Sequence, residues 1–197
     1  MVRELKLGVF FTLVTMLLFG GGYTLVVWAI GTTLFPRQAE GSLIRGADGT
    51  VVGSRLIAQK FTQPEYFQPR PSAVDYNAAS TGGSNYGPSN PDHLQAVRVR
   101  LAGVMQQEGV PASRVPSEMV TASGGGLDPH IPPSAAAIQV ARVAAARGVP
   151  VARLQALVDA RTELPALGLL GRARVNVLEL NLALDEAFGT ITPAPGR

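Results

Sequence analysis

The chain has 197 residues, of which 46% are hydrophobic and 16% charged, with a net charge of +3 and a mean hydropathy of +0.19. It contains no cysteine and two histidines, which excludes disulfide scaffolds, thiolate or histidine-rich metal sites, iron–sulfur clusters and cysteine nucleophiles. The length suits one domain of ordinary size, and because the charges form no run of one sign, binding to nucleic acid is not indicated.

The first predicted element is a membrane span over residues 7–34. Apart from one tyrosine, no ionisable side chain lies between Lys6 and Arg37, and roughly 20 apolar residues are enough to cross a bilayer core of about 30 Å. A cleaved signal peptide is the alternative, but the apolar run is about twice the usual length of a signal core and no A-x-A-like site follows it. Because positive charges precede the span, residues 1–6 are predicted to be cytoplasmic. The remainder would lie on the far side of the cell inner membrane, which makes this a single-pass protein.

Small residues recur along the span at seven-residue intervals. Spacing of this kind lets helices in lipid approach closely, and hydroxyl groups can then bond across the contact. The alternative is chance, since small residues are common in such helices. The predicted helix-packing residues are Gly8, Thr12, Thr15, Gly22 and Ala29.

After the span, a polar connector is predicted over residues 35–49, a single extracytoplasmic α+β domain over residues 50–190, and a C-terminal tail over residues 191–197. The first part of the domain, residues 50–61, is rich in β-branched and apolar residues between Gly and Pro, which favours one or two strands. The fold class is therefore membrane-anchored α+β, with one N-terminal transmembrane helix.

A long loop follows, over residues 63–93, with repeated Pro, Gly, Ser and Asn and little periodicity. Structureless connections of this length are uncommon and are usually either functional or disordered. The aromatic side chains of the loop argue against disorder, since they offer apolar area for docking. Tyr76 and Tyr86 are predicted to contact a partner; the alternative is that they pin the loop to its own domain.

The rest of the domain alternates helical and strand patterns, which predicts three or four helices on a small sheet. Helix boundaries are marked by Pro at the first turn and Gly after the last. The predicted elements are a helix from Pro91 ended by Gly109, a strand over 119–122, a helix over 134–147, a helix from about Pro150, a strand at 175–177 and a closing helix through Phe188.

Catalytic patterns are few. The Gly-rich stretch 80–85 is not followed by a G-x-x-x-x-G-K-[ST] sequence, and neither a G-x-S-x-G elbow nor an H-E-x-x-H helix occurs. Asp128 and His130 are interpreted as a carboxylate that braces a turn and a buried hydrogen-bonding histidine, since Asx turns of this kind are routine. These patterns leave open a membrane-tethered outer-face enzyme or solute-binding module, but no motif supports one.

Three segments resemble the C chain of the bacterial Kdp potassium-transporting ATPase: YFQPRPSAVDYNAASTGGSNYGPSNP, VTASGGGLDPHIPPSAAAIQVARVAAARG and RVNVLELNLALD. The third carries Asn176, Asn181 and Asp185. The resemblance covers nearly the whole chain. It departs at Pro132, where a capping Ser is expected, and at Thr81, where Ser is more usual in the family.

The resemblance implies an accessory subunit without its own catalytic site, in a complex that imports potassium. Its partners would be a channel-like potassium-binding subunit, a P-type ATPase subunit and a small single-span subunit. The family's C chain is described as a catalytic chaperone that raises the ATP affinity of the hydrolysing subunit, with Gln139 as the implied nucleotide contact; no cofactor would be bound firmly. Topology opposes that contact, since Gln139 would lie outside the cell. The alternative is a solvated or interface position on an amphipathic helix.

Overall fold

The computed structural model describes residues 1–46 and 49–190. The chain divides into two compact units, Met1–Val52 and a second unit that begins at Gly53. The predicted tail, residues 191–197, lies outside the described residues.

The first unit consists mainly of one long helix, α1 (Val2–Leu34), which has a mean hydropathy of 1.9 over 18 residues and buries none of that window within the protein. The 33-residue helix is about 50 Å long at 1.5 Å per residue, which exceeds the bilayer core. Its middle, Met16–Tyr23, has π-helical hydrogen bonding and contains three consecutive glycines. The chain is therefore a membrane-anchored protein with one N-terminal apolar helix.

The segment after α1 is more ordered than a polar connector. A short helix, α2 (Pro36–Ala39), begins at a proline, and the strands β1 (Leu43–Arg45) and β2 (Val51–Ser54) pair with each other. Only one strand, β2, forms within residues 50–61.

In its described part, residues 53–190, the second unit holds four α-helices and a three-stranded antiparallel sheet. The helices are α3 (Pro91–Glu108), α4 (Pro133–Arg147), α5 (Val151–Ala160) and α6 (Val177–Phe188). The strands β3 (His130–Ile131), β4 (Thr162–Glu163) and β5 (Arg174–Asn176) are arranged in the order β3-β5-β4. Ile131 and Thr162 both face Val175 across the sheet.

Local signals explain where the helices start and stop. The Asn90 side chain accepts from the backbone N–H of Asp92 at the start of α3, and that of Asn176 accepts from Glu179 at the start of α6. Gly109 and Gly148 take the left-handed conformation that ends α3 and α4. The predicted helices of the domain are thereby confirmed.

The predicted strand over residues 119–122 is wrong. Ser117–Met119 forms a 3-10 turn after Pro116, and the Ser117 carbonyl accepts from the N–H groups of both Val120 and Thr121. These bonds use the backbone groups that a strand would offer to a neighbour. The apolar character of the segment is satisfied instead by burial of Met119 and Val120.

The core lies between the sheet and helices α4, α5 and α6. Its fully buried side chains include Ile131 of β3, Val175 of β5, Leu154 of α5 and Leu180 of α6. One further member, Phe67, comes from near the start of the predicted long loop and has no exposed surface. The irregular part of the chain therefore enters the core.

Candidate functional site

The segment Pro64–Arg70 runs through the domain without forming a helix or strand, and we call it the clamped segment. Its sequence is PEYFQPR. Backbone polar groups in such a position must find partners outside regular structure. Side chains from α4 and α6 supply most of those partners.

Two side-chain amides make the hydrogen bonds to the backbone that a neighbouring strand would make in a sheet. The Phe67 N–H donates to Asn181 Oδ1 at 2.9 Å, and Asn181 Nδ2 donates back to the Phe67 carbonyl at 2.9 Å. Gln139 binds the next residue in the same way. Its Oε1 accepts from the Gln68 N–H at 2.8 Å, and its Nε2 donates to the Gln68 carbonyl at 3.1 Å. Both amides are buried, so they fix two consecutive residues of the segment.

Arg142 holds the beginning of the clamped segment. Its Nη1 donates to the carbonyls of Pro64 and Tyr66, and its Nε donates to both carboxylate oxygens of Glu108 at 2.9 and 3.0 Å. Burial raises the pKa of Glu108 above its ordinary value, although the Arg142 charge acts in the opposite direction. The ion pair joins α3, α4 and the segment in one network.

Arg147 makes a second set of contacts with the segment. Its Nε donates to the Glu65 carbonyl at 2.8 Å and its Nη2 to Asp185 Oδ1 at 2.8 Å, while the guanidinium lies 4.8 Å from the centre of the Tyr66 ring. The Tyr66 hydroxyl donates to Asp185 at 3.0 Å. Burial and the neighbouring Asp185 carboxylate raise the pKa of Tyr66, so the tyrosine remains a neutral donor.

The expected solvated or interface position of Gln139 is wrong, because the side chain has no exposed surface. Besides its two bonds to Gln68, its Oε1 accepts from Arg142 Nη2 at 2.8 Å and its Nε2 donates to the Ala135 carbonyl at 3.2 Å. The amide's hydrogen-bonding capacity is thus used within the domain. Nucleotide contact at Gln139 stays a prediction.

Asp128 braces the turn before α4, as predicted. Its Oδ1 accepts from the backbone N–H of His130 at 3.0 Å, and its Oδ2 pairs with Arg70 Nη1 at 3.0 Å. Burial opposes ionisation, but the His130 and Arg70 contacts outweigh it and lower the pKa of Asp128. The burial expected for His130 is wrong: its side chain is partly exposed and, with Arg70 and Asp128, lines an open polar pocket of about 330 Å³.

The two tyrosines predicted as partner contacts have different environments. The Tyr76 hydroxyl donates to the Arg70 carbonyl at 2.7 Å, and its backbone N–H donates to Ser72 Oγ at 3.0 Å. Tyr86 is 48% exposed, with its ring centre 6.4 Å from that of His93. Tyr76 therefore ties the loop to the end of the clamped segment, whereas Tyr86 faces outward. Partner contact by either residue stays a prediction.

Glycines let the loop pack closely against the turn before β3. The Gly82 N–H donates to the Gly125 carbonyl at 3.1 Å, and a Cβ on Gly83 would lie 2.6 Å from the Gly124 carbonyl oxygen. The stretch 80–85 opens no helix. Its glycines thus serve close backbone approach in this structure.

The predicted stripe of small residues runs through the π-helical segment of α1. The π-helical segment holds more residues per turn than an α-helix, and one extra residue turns the helix by about 100°. A seven-residue repeat therefore does not keep the same register through this segment as in a regular α-helix. The hydroxyls of Thr12 and Thr15 donate to carbonyls of their own helix. Helix packing through these residues stays a prediction.

Sequence reasoning missed the two arginines of α4 that hold the clamped segment. Arg142 and Arg147 lie five residues apart in an Ala- and Val-rich helix, and cations on so apolar a helix are rarely buried unless paired. The sequence signal that could have found them is therefore the presence of two arginines on an apolar helix, which predicts that they are paired. Among residues 1–46 and 49–190, no group of three or more His, Asp or Glu side chains gathers in a way that could hold a metal ion.

The chain is similar to a known protein family over most of its length. Residues 5–186 match the family model described as K⁺-transporting ATPase, c chain. The chain is 54% identical over 172 residues to the potassium-transporting ATPase KdpC subunit of Xanthomonas oryzae pv. oryzae, covering 86% of this chain and 82% of that one. It is 48% identical over 188 residues to the KdpC subunit of Geotalea uraniireducens, covering 94% and 98%. The match to the Caldanaerobacter subterraneus KdpC subunit is 49% over 187 residues, covering 94% and 96%.

Proposed function

The chain belongs to the KdpC family of K⁺-transporting ATPase c chains, and we propose that it is a non-catalytic accessory subunit of such a complex. The observation that carries the proposal is the set of hydrogen bonds and ion pairs that the domain's polar side chains make inside the domain. Gln139, Asn181, Arg142, Arg147 and Asp185 all bind the clamped segment or one another. Side chains committed in this way hold the clamped segment rigidly in the domain.

The partner surface we propose is the loop over residues 71–90. The clamped segment ends at Arg70 and so fixes the point where this loop begins. The partners implied are a channel-like potassium-binding subunit, a P-type ATPase subunit and a small single-span subunit, with potassium as the substrate of the whole complex. Tyr86 is the candidate contact, because an exposed tyrosine is a typical anchor of protein interfaces.

The test compares Tyr86→Ala with Tyr76→Phe, each co-purified with its partner subunits from mild detergent. Tyr86→Ala should weaken attachment by about 1–4 kcal/mol, the range for a buried interface anchor, without changing the stability of the chain. Tyr76→Phe removes one internal hydrogen bond, so it should cost about 1 kcal/mol of stability and leave attachment unchanged. Wild-type recovery of the Tyr86 variant would contradict the proposed surface.

For ATP, we propose that any effect of this chain on nucleotide affinity is transmitted through the P-type ATPase subunit, with no firmly bound cofactor here. Direct contact by Gln139 would require its bonds to Gln68 to open. Photolabelling of the assembled complex with an ATP analogue should mark the hydrolysing subunit and leave this chain unlabelled. Labelling at Gln139 would overturn this part of the proposal.

We also propose that residues 1–6 are cytoplasmic and that the second unit lies outside the inner membrane. The support is the position of Arg3 and Lys6 before the apolar helix. A reporter enzyme that works only outside the cytoplasm should be active when fused after Arg197. A reporter active only in the cytoplasm should be silent at the same position, and the reverse pattern would refute the orientation.

A further inference from the structure

A second irregular segment, residues 164–170, carries four leucines that the domain does not cover. We call it the leucine loop; its sequence is LPALGLL. The side chains of Leu164, Leu167, Leu169 and Leu170 are between 65% and 91% exposed. Single exposed leucines need no explanation, but four on one short loop form an apolar patch of the kind that marks an interaction site.

The backbone of the leucine loop is closed on itself. Ala166 and Leu170 exchange two N–H to carbonyl hydrogen bonds, each 2.9 Å long, and the N–H groups of Gly168 and Leu169 donate to Pro165 and Ala166. Four of the five N–H groups of residues 166–170 are therefore satisfied within the loop. Internal satisfaction of this kind is what a backbone requires where water is scarce.

Positive charge surrounds the roots of the leucine loop. Arg161 and Arg172 flank it in sequence, and neither makes an ion pair within residues 1–46 and 49–190. The nearby Glu163 is neutralised by Arg55 and Arg174. The approach to the four leucines is thus net cationic.

We propose that the leucine loop inserts into the surface of a bilayer that contains anionic phospholipids, with Arg161 and Arg172 binding lipid phosphates. Apolar tips with arginines behind them match the two layers of a membrane surface, acyl chains below and phosphates above. The span ends at Leu34 and the second unit begins at Gly53. The 18 residues between them reach at most about 60 Å when extended, which limits how far the second unit can move from the bilayer.

A lipid occupant fits this patch better than a protein partner. Anchors of protein interfaces are enriched in Trp, Tyr and Arg, and leucine is under-represented among them. The leucine loop has no aromatic residue. Its self-contained hydrogen bonds also leave little backbone for a partner strand to pair with.

The experiment uses the full chain, which lacks cysteine and therefore accepts a single labelling site. Leu169→Cys and the matched control Val99→Cys, which is 61% exposed on α3, each receive a nitroxide spin label. Each chain is reconstituted in vesicles of phosphatidylcholine alone or mixed with phosphatidylglycerol. Collisions of the label with oxygen, which concentrates in lipid, are compared with collisions with a water-soluble nickel chelate.

The label at position 169 should favour oxygen in mixed vesicles, and the label at position 99 should favour the nickel chelate. Adding Arg172→Gln should lower the inserted fraction relative to the free fraction about fivefold, which corresponds to about 1 kcal/mol per basic residue at an anionic surface.

Equal nickel access at both positions in every vesicle would overturn the proposal. Lipid contact at both positions would overturn it too, because insertion would then not be a property of the loop. A label at 169 that is water-accessible in the chain alone and shielded only after partner subunits are added would assign the loop to a protein.

Discussion

The clamped segment and the leucine loop are both irregular, proline-containing stretches, yet they are ordered in opposite ways. The carbonyls of residues 64–68 in the clamped segment accept hydrogen bonds from side chains of α4 and α6 that are 71 to 114 residues away in sequence. Within residues 1–46 and 49–190, the backbone hydrogen bonds of the leucine loop all stay inside the loop. Phe67 is fully buried in one, and four leucines are exposed in the other. The conformation of the first segment therefore depends on the whole fold, whereas that of the second depends on contacts within the loop.

The largest expected difference between the two segments comes from removing an apolar side chain from each. Phe67→Ala should lower the free energy of unfolding by about 3–5 kcal/mol, because it leaves a cavity in the core. Leu169→Ala, at an exposed position, should change it by less than about 0.5 kcal/mol. Denaturant unfolding of the full chain in detergent measures both. Similar losses in the two variants would mean that the segments are not ordered differently.

The next effect should come from the ion pair that holds the clamped segment. Arg142→Met leaves the carboxylate of Glu108, whose side chain is 2% exposed, without its partner, and should cost about 3 kcal/mol near neutral pH. Arg142 is what lowers the pKa of Glu108 against burial. In the variant that pKa should rise further, so the folded state takes up a proton more readily and the loss should shrink at acidic pH.

The control for the ion pair is the double variant Arg142→Met, Glu108→Gln. It removes the unpaired charge and should recover part of the lost stability. A loss from Arg142→Met that is the same at pH 5 and pH 8 would show that the pair does not carry the effect.

The smallest effect should appear in acid, where a carboxylate at the end of each segment can be compared. Asp128 pairs with Arg70 of the clamped segment, and Glu163 pairs with Arg174 beside the leucine loop. Both acids have a lowered pKa in the folded chain. Each therefore contributes stability above its ordinary pKa, near 3.8 for Asp128 and 4.5 for Glu163, and that contribution disappears as the pH falls through the lowered value.

Asp128→Asn and Glu163→Gln should each flatten the curve of melting temperature against pH at its acid end, so that the melting temperature falls less as the pH is lowered. The Asp128 variant should flatten it more, since its partner Arg70 is 22% exposed against 49% for Arg55 and 57% for Arg174, and since Arg70 belongs to a segment on which the core depends. Melting curves between pH 3 and pH 7 make the comparison. A larger change for Glu163→Gln would reverse the assignment of local and global roles.

Local signals in the sequence were enough for the apolar helix, for the helices that begin near Pro91, Pro133 and Pro150, and for the turn braced by Asp128. Each of these depends on residues within a few positions of one another, through hydropathy, capping or a proline that fixes the backbone. The family could also be recognised from the sequence, because its blocks of residues are specific along nearly the whole chain.

Tertiary structure alone decided which polar side chains face inward. Gln139 has the spacing of a surface residue, but its amide pairs with Gln68, 71 positions away. The apolar run at 119–122 resembles a strand, yet Ser117 captures its N–H groups. Tyr76 and Tyr86 have similar neighbours in sequence and opposite surroundings in space. Periodicity records the repeat of a helix or strand, whereas the partner of a buried carbonyl is fixed only when distant segments meet, which leaves no local pattern to read.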